Sequence, residues 1–429
     1  MFFLKTINFF RNDQFFKNAL ILISGTTVAH LIPFILYPVF TRLFTPADFG
    51  LFALFIGIIS WVDVVSTGRY ELAVVIPEKD EDSINVVAGG ISFLLVICTL
   101  LYIIVFLFGD FISVHLNSSS IKNWFWLVPP AVFVMGIGKI FNNWLIRKKS
   151  FKAFAYNKIF QRIIEGISTL GFYVSKFSNG LIAGDFTGRF SLAVISIFQA
   201  TREGFAFNRI NRKKLLDNIK RYKIYPLYNT VPALLNAGCG LLPVFLISAF
   251  YTEEITGYFN LSRQLLAIPI ALISANVSQV LLKDISEKRN AQKFIYADMK
   301  SLFYKLAVMS VLFIVVLYFF STFLFGFFFG QDWKISGEYT QILVISYAFS
   351  FAISPLSIAL VALGKVKILS IWQTAYFILV CCLFFFNEIP VKQFLFIIVV
   401  IDIIAYSVYL FLISNAAKNF DKSLISDKR

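Results

Sequence analysis

The stretch HLIPFILYPVFTRLFTPADFGLFALFIGIISWVDVVSTGRYELAVVIPEKDED, residues 30–82, holds two apolar runs, a tight polar corner between them and an Arg-Tyr-Glu exit. The corner returns later: TPADFG followed by Leu51-Phe52 is matched by TEEITG followed by Tyr258-Phe259. In both copies a Thr precedes a Gly by five positions, Thr45 to Gly50 and Thr252 to Gly257, and the copies lie 207 positions apart in a chain of 429. Gly beside an acidic residue makes a good interfacial turn in any context. The match extends upstream, however, where Leu31-Ile32-Pro33-Phe34 reads like Leu241-Leu242-Pro243-Val244. The pattern predicts two similar halves.

The chain is 58% hydrophobic and 15% charged and carries 52 phenylalanines, too little polar surface to clothe a water-soluble exterior. Apolar stretches of roughly 20 residues, enough to cross about 30 Å of hydrocarbon as helix, recur from end to end. Spans are predicted over 18–40, 49–69, 84–108, 124–143, 155–175, 181–201, 226–250, 257–280, 302–327, 338–363, 368–388 and 393–413. Residues 1–17, punctuated by Lys5, Arg11 and Lys17, suit an in-plane amphipathic helix better than a cleaved signal peptide. Cys98, Cys239, Cys381 and Cys382 sit in apolar runs without ligand spacing, against disulfides and structural zinc.

Cytoplasmic loops retain Lys and Arg. With the N-terminus inside, inner segments together with the inner ends of spans, where Arg69, Lys158 and Lys305 stand, hold 30 of the 39 basic residues, outer loops hold Arg42, Lys122, Lys176, Lys334 and Lys392, and Lys139, Arg162, Arg189 and Arg263 are assigned to the spans themselves. Both termini are therefore expected in the cytoplasm. The net charge of +15 reads as topology plus attraction to anionic membrane lipids, and nucleic acid explains it poorly. The expected organisation is an N-terminal lobe over 1–201, a basic cytoplasmic linker over 202–225, and a C-terminal lobe with its tail over 226–429. Six spans per half give a parallel repeat about the membrane normal, a geometry that suggests a transporter.

RLFTPADFGLFALF followed by GRYELAVVIPEKDE, then YPLYNTVPALLNAG, FYTEEITGYFNLSRQLLAIPIALISANVSQV, FGQDWKISGEY and SPLSIALVALGK, resembles the polysaccharide flippases of the multidrug/oligosaccharidyl-lipid/polysaccharide exporter superfamily, over almost the whole chain. The resemblance implies an all-α polytopic fold of about twelve transmembrane helices, two six-helix lobes around a V-shaped cavity that opens alternately to either side. Spans one, two, seven and eight would line it. It implies as cargo an undecaprenyl-diphosphate-linked O-antigen, capsule or exopolysaccharide repeat unit, and as location a bacterial inner membrane. A polysaccharide polymerase and a chain-length regulator are the partners it suggests. A cation-coupled multidrug exporter of the same fold is the alternative; its cavity should be acidic and aromatic.

A diphosphate at the bilayer midplane is prohibitively unstable unless the path is wet and cationic. Arginine suits it through paired charge-assisted hydrogen bonds, and each charge within a span costs roughly 2.5–3.5 kcal/mol on insertion scales. Arg263, inside NLSRQLLAIP, leads the substrate-binding candidates, with Tyr258, Asn260 and Gln264 extending a sugar-facing surface; snorkelling to head groups is the alternative for Arg263. Arg69, at the inner end of span two, would receive the diphosphate or hold an inner gate, and its spacing from Glu71 predicts separate partners for the two. Arg189 is a further candidate, although Asp185 stands four residues before it, and Arg162 with Glu165 invites the same neutralised-pair reading. Lys139 can snorkel. Asn229, Asn236, Asn276, Thr26, Thr27 and His30 can offer hydrogen bonds to sugar hydroxyls or to neighbouring helices.

Coupling to a proton or sodium gradient needs a carboxylate. Asp63 is unpaired in the local sequence and leads, Asp402 in the last span is next, and Glu71 is a gate candidate. No cofactor is expected, and no metal-ligand cluster, phosphate loop or nucleophile-base arrangement points to an enzyme. The topology is directly testable: a cysteine introduced into residues 202–223 should react with a membrane-impermeant maleimide only from the cytoplasmic side, and labelling of intact cells from outside would overturn the two-lobe arrangement.

Overall fold

The computed structural model describes residues 14–177 and 179–426. Residues 1–13 of the expected in-plane helix lie outside the described residues. Twelve long helices run through the described chain: α1 (Gln14–Leu43), α2 (Pro46–Ser66), α3 (Asp80–His115), α4 (Val128–Arg147), α5 (Phe151–Val174), α6 (Gly180–Arg202), α7 (Thr230–Phe250), α8 (Glu253–Asn290), α9 (Tyr296–Phe328), α10 (Lys334–Ile353), α11 (Val366–Cys381) and α12 (Val391–Ser426). Each carries one of the predicted spans, and the described residues contain no strand.

Among the described residues, eleven helical segments are long and apolar enough to cross a membrane. The exception is α5, where every 18-residue window contains Lys158, Arg162 and Glu165. Helices α3 and α9 turn phenylalanines outward, Phe106 at 75% and Phe319 at 69% exposure. Such outward apolar faces are stable only against hydrocarbon.

The chain divides into two compact units, one of residues 1–43 and 51–237, the other of residues 44–50 and 238–429. In the first, α5 packs between α1 and α6, and α4 lies against α3 and α6. Glycines permit the close approaches: Gly136 faces Leu94 of α3, Gly138 faces Leu192 of α6, and Gly188 meets the backbone of α5 at Gln161. A buried polar node ties three helices, with the Asn142 carbonyl oxygen on α4 accepting from Asn157 on α5 and Ser196 on α6, each at 3.2 Å. Residues 202–225 also cluster with this unit. Their helix, Arg212–Arg221, sets Ile219 against Gly89, and the Ile219 carbonyl accepts from the Tyr70 hydroxyl at 3.1 Å.

In the second unit, α9 and α10 approach closely enough that the Ser321 hydroxyl donates to the Gly337 carbonyl at 2.9 Å. Trp372 of α11 stacks on Tyr409 of α12 with ring centroids 3.7 Å apart, while its indole N–H donates to the Ala405 carbonyl at 2.8 Å.

The repeated corner is also in this unit. Pro33 and Pro38 interrupt α1 and Pro243 interrupts α7 upstream of the two copies. Thr45 and Asp48 cap the start of α2 reciprocally, Asp48 Oδ2 accepting from the Thr45 amide at 2.9 Å and hydroxyl at 2.7 Å. Thr252 caps α8, its hydroxyl oxygen accepting from the Ile255 amide at 3.3 Å. The two copies pack on each other. A Cβ at Gly50 would overlap the Glu253 carbonyl, and one at Gly257 the Pro46 carbonyl. Trp333, 1% exposed, seals the crossing by meeting Phe49 of one copy at 4.9 Å and Tyr258 of the other at 5.7 Å.

Because the opposing atoms are backbone, neither side can yield locally. Gly50→Ala or Gly257→Ala should destabilise the protein by about 1–3 kcal/mol, read as a lower melting temperature in detergent, whereas alanine at Gly171, which has open space around it, should be nearly silent.

Candidate functional site

In the first unit, α2 ends at Ser66 and the chain turns through Gly68 and Arg69, at φ 58° and 60°, into the short helix Tyr70–Ala73. Left-handed backbone at a non-glycine residue is uncommon. It changes the expected pairing: Arg69 and Glu71 do share a contact, Nη1 to Oε1 at 3.7 Å, because Arg69 stands in a turn where helical spacing rules do not apply. Glu71 is 2% exposed, accepts from the Thr67 hydroxyl, and lies 3.9 Å from Lys139 Nζ.

Lys139 does not snorkel. Its ammonium donates to the Asp63 carbonyl at 2.7 Å and to Asp63 Oδ2 at 3.0 Å, and Ser66 donates to Asp63 Oδ1 at 3.1 Å. Asp63, without a local partner in the sequence, thus finds one 76 residues away on α4. Asp63, Lys139, Glu71 and Arg69 form one chain of alternating charge at the end of α2.

A second charged group lies along α1, α5 and α6. Arg162 donates to Glu165 at 2.7 Å and Arg189 to Asp185 at 2.5 Å, the two in-helix pairs that the spacing predicts. His30 on α1 is exposed and within electrostatic reach of Arg162 and Lys158. Lys158 was not singled out by the sequence reading, which grouped it with the inner loop. The available signal was its position four residues before Arg162 on a predicted span.

Asn229 and Asn236 are exposed, the former in a single π-helical turn, Tyr225–Asn229, that leads into α7. In the second unit, Arg263 of α8 donates to the Gly240 carbonyl of α7, and no carboxylate among the described residues lies within ion-pair distance of it. Asn260, 5% exposed, offers no sugar-facing surface, because its side of α8 is packed within the unit. Tyr258 is directed to Trp333 and Tyr339, and Asn276 returns its amide to the Leu272 carbonyl of its own helix. Asp402 of α12 accepts from the Tyr376 hydroxyl at 2.8 Å. The described residues contain no group of three His, Cys, Asp or Glu able to hold a metal ion.

Removing Lys139 leaves the Asp63 carboxylate without its cation, and removing Asp63 leaves the ammonium only the longer Glu71 contact, whereas removing both leaves neither charge behind. Asp63→Asn and Lys139→Met should each destabilise the protein more than half as much as the double variant does, with a coupling of about 1 kcal/mol in a double-mutant cycle of thermal stability; additivity would show the pair to be energetically idle.

Residues 39–338 match the family model described as polysaccharide biosynthesis protein. No curated protein sequence matches. Among solved structures, the chain is similar to the inward-facing form of a multidrug-resistance MATE transporter of the MOP superfamily, with TM-score 0.69 and 15% identity over 94% of this chain and 96% of that one. It is likewise similar to the lipid II flippase MurJ in an inward closed conformation, with TM-score 0.71 and 16% identity over 94% and 91% of the two chains. A Vibrio cholerae MATE transporter, VcmN, gives TM-score 0.59 and 14% identity over 96% of each.

Proposed function

Since the chain belongs to the polysaccharide biosynthesis protein family and has the MATE and MurJ fold, we propose that it flips undecaprenyl-diphosphate-linked oligosaccharide repeat units across a bacterial cytoplasmic membrane by alternating access. The lobes of this reading are residues 1–201 and 226–429, with both termini cytoplasmic and the basic segment 202–225 near anionic lipid. Transport requires no covalent chemistry. A polymerase and a chain-length regulator would take up the flipped unit, and Asp63, Glu71 and Asp402 are the carboxylates available for coupling to protons or sodium.

The observation that carries the reading is Arg263. It is a guanidinium within an apolar helix whose only hydrogen bond among the described residues is to a carbonyl, so its charge is left uncompensated. An uncompensated intramembrane cation supports an anionic cargo and disfavours a cationic one. Arg69 and Arg189 contribute less, because Glu71 and Asp185 already neutralise them in part.

Arg263→Ala should abolish surface display of the polysaccharide while membrane abundance persists, and Arg263→Lys should retain partial function, since a point charge replaces only part of the guanidinium fork. Unchanged display in the alanine variant removes Arg263 from the path. A drug exporter would show a different phenotype, with deletion of the protein sensitising cells to cationic dyes and leaving display intact.

A further inference from the structure

Helix α5 reads FKAFAYNKIFQRIIEGISTLGFYV. One stripe of it faces α1: Ala155 lies against Gly25 and Gly166 against Leu36. A second stripe faces α6: Gln161 and Glu165 lie against Gly188, and Thr169 against Gly184. At 3.6 residues per turn, Lys158 projects between these stripes, on the side of the helix shared with Arg162.

Glu165 of α5, Asp185 of α6 and Asp63 of α2 are already committed. Glu165 holds Arg162 at 2.7 Å, Asp185 holds Arg189 at 2.5 Å and Asp63 holds Lys139 at 3.0 Å. Lys158 is within electrostatic reach of Arg162, Arg189, Lys139 and Asp63. Among the described residues, nothing accepts a hydrogen bond from its ammonium, which is only partly exposed. With Arg69 and Glu71, which continue the Asp63–Lys139 chain, five cations thus stand against four carboxylates among the described residues, and the surplus charge, with three unused N–H donors, is at Lys158. A structural lysine in such a place would be expected to share one of the carboxylates. Its exclusion from all three pairs leaves a position that an incoming anion completes.

We propose that Lys158 binds a phosphate oxygen of a polyprenyl-diphosphate cargo at the α1–α5–α6 face of the first unit. This rests on the flippase reading above. Arg162 and Arg189 act there as positioning residues, holding Glu165 and Asp185 away from the ammonium, and His30 borders the same face.

The test uses the full-length protein in phosphatidylcholine nanodiscs, with undecaprenyl diphosphate, undecaprenol or phosphatidylglycerol added, and binding read by native mass spectrometry. Lys158→Gln should weaken undecaprenyl diphosphate binding by about tenfold to a hundredfold, the loss of one charge-assisted hydrogen bond, and Lys158→Arg should restore most of it. Wild-type affinity in the Gln variant overturns the proposal, as does a loss confined to phosphatidylglycerol, which would make a bilayer lipid the occupant. A wild-type protein that binds undecaprenol as well as the diphosphate instead overturns the flippase reading itself. A second measurement needs no variant: undecaprenyl diphosphate should protect Lys158 from amine acylation, followed by peptide mass spectrometry, and equal labelling with and without it refutes the contact.

Discussion

The close approach of two helix starts at Gly50 and Gly257 is the constraint on which the architecture depends. Each glycine stands where a side chain would overlap the other copy's backbone carbonyl, so the contact is reciprocal. Reciprocity of this kind belongs to a pair of equivalent corners, which the matching Thr caps, Thr45 and Thr252, and the upstream prolines independently indicate. The corner also explains why residues 44–50 cluster with the second unit while the remainder of α2 clusters with the first. Backbone groups at helix starts carry unsatisfied N–H donors, and here Asp48 and Thr252 satisfy part of that demand before the chain enters apolar surroundings.

Beyond the corner, the governing cost is charge in hydrocarbon. The first unit meets it by pairing: Asp63 with Lys139, Arg162 with Glu165, Arg189 with Asp185 and Glu71 with both Arg69 and Lys139. Pairing lowers the cost of each charge and also lowers its value as a ligand, since a bound anion must compete with a carboxylate already in place. Among the described residues, Lys158 stands outside this scheme in the first unit and Arg263 has no carboxylate partner in the second, which is why the proposed reading places the cargo contacts on them.

Periodicities and local spacings were legible in the sequence. Twelve helices, the repeated corner and the Arg162–Glu165 and Arg189–Asp185 pairs follow from apolar run length and from spacings of three and four residues. What depended on tertiary packing was not. Lys139 and Asp63 are separated by 76 residues, and no local pattern joins them. Arg69 and Glu71 escaped a helical rule because the backbone at Gly68 and Arg69 is left-handed, a conformation that the sequence GRYE does not announce. Asn260 is expected from the sequence to extend a sugar-facing surface and is buried, because the side of α8 that it occupies is packed.

Fold similarity does not choose the cargo, since a multidrug transporter and a lipid II flippase are matched about equally well. Electrostatics is more discriminating. Two like unit charges at 4 Å repel by about 1 kcal/mol in water and by about 4 kcal/mol at the effective dielectric of a protein surface. A cationic drug passing Arg263 or Lys158 meets that repulsion with no carboxylate among the described residues in ion-pair contact with either group, whereas a diphosphate meets attraction of the same size. Family membership points to polysaccharide assembly, and the sign of the uncompensated charge points the same way through an independent physical route.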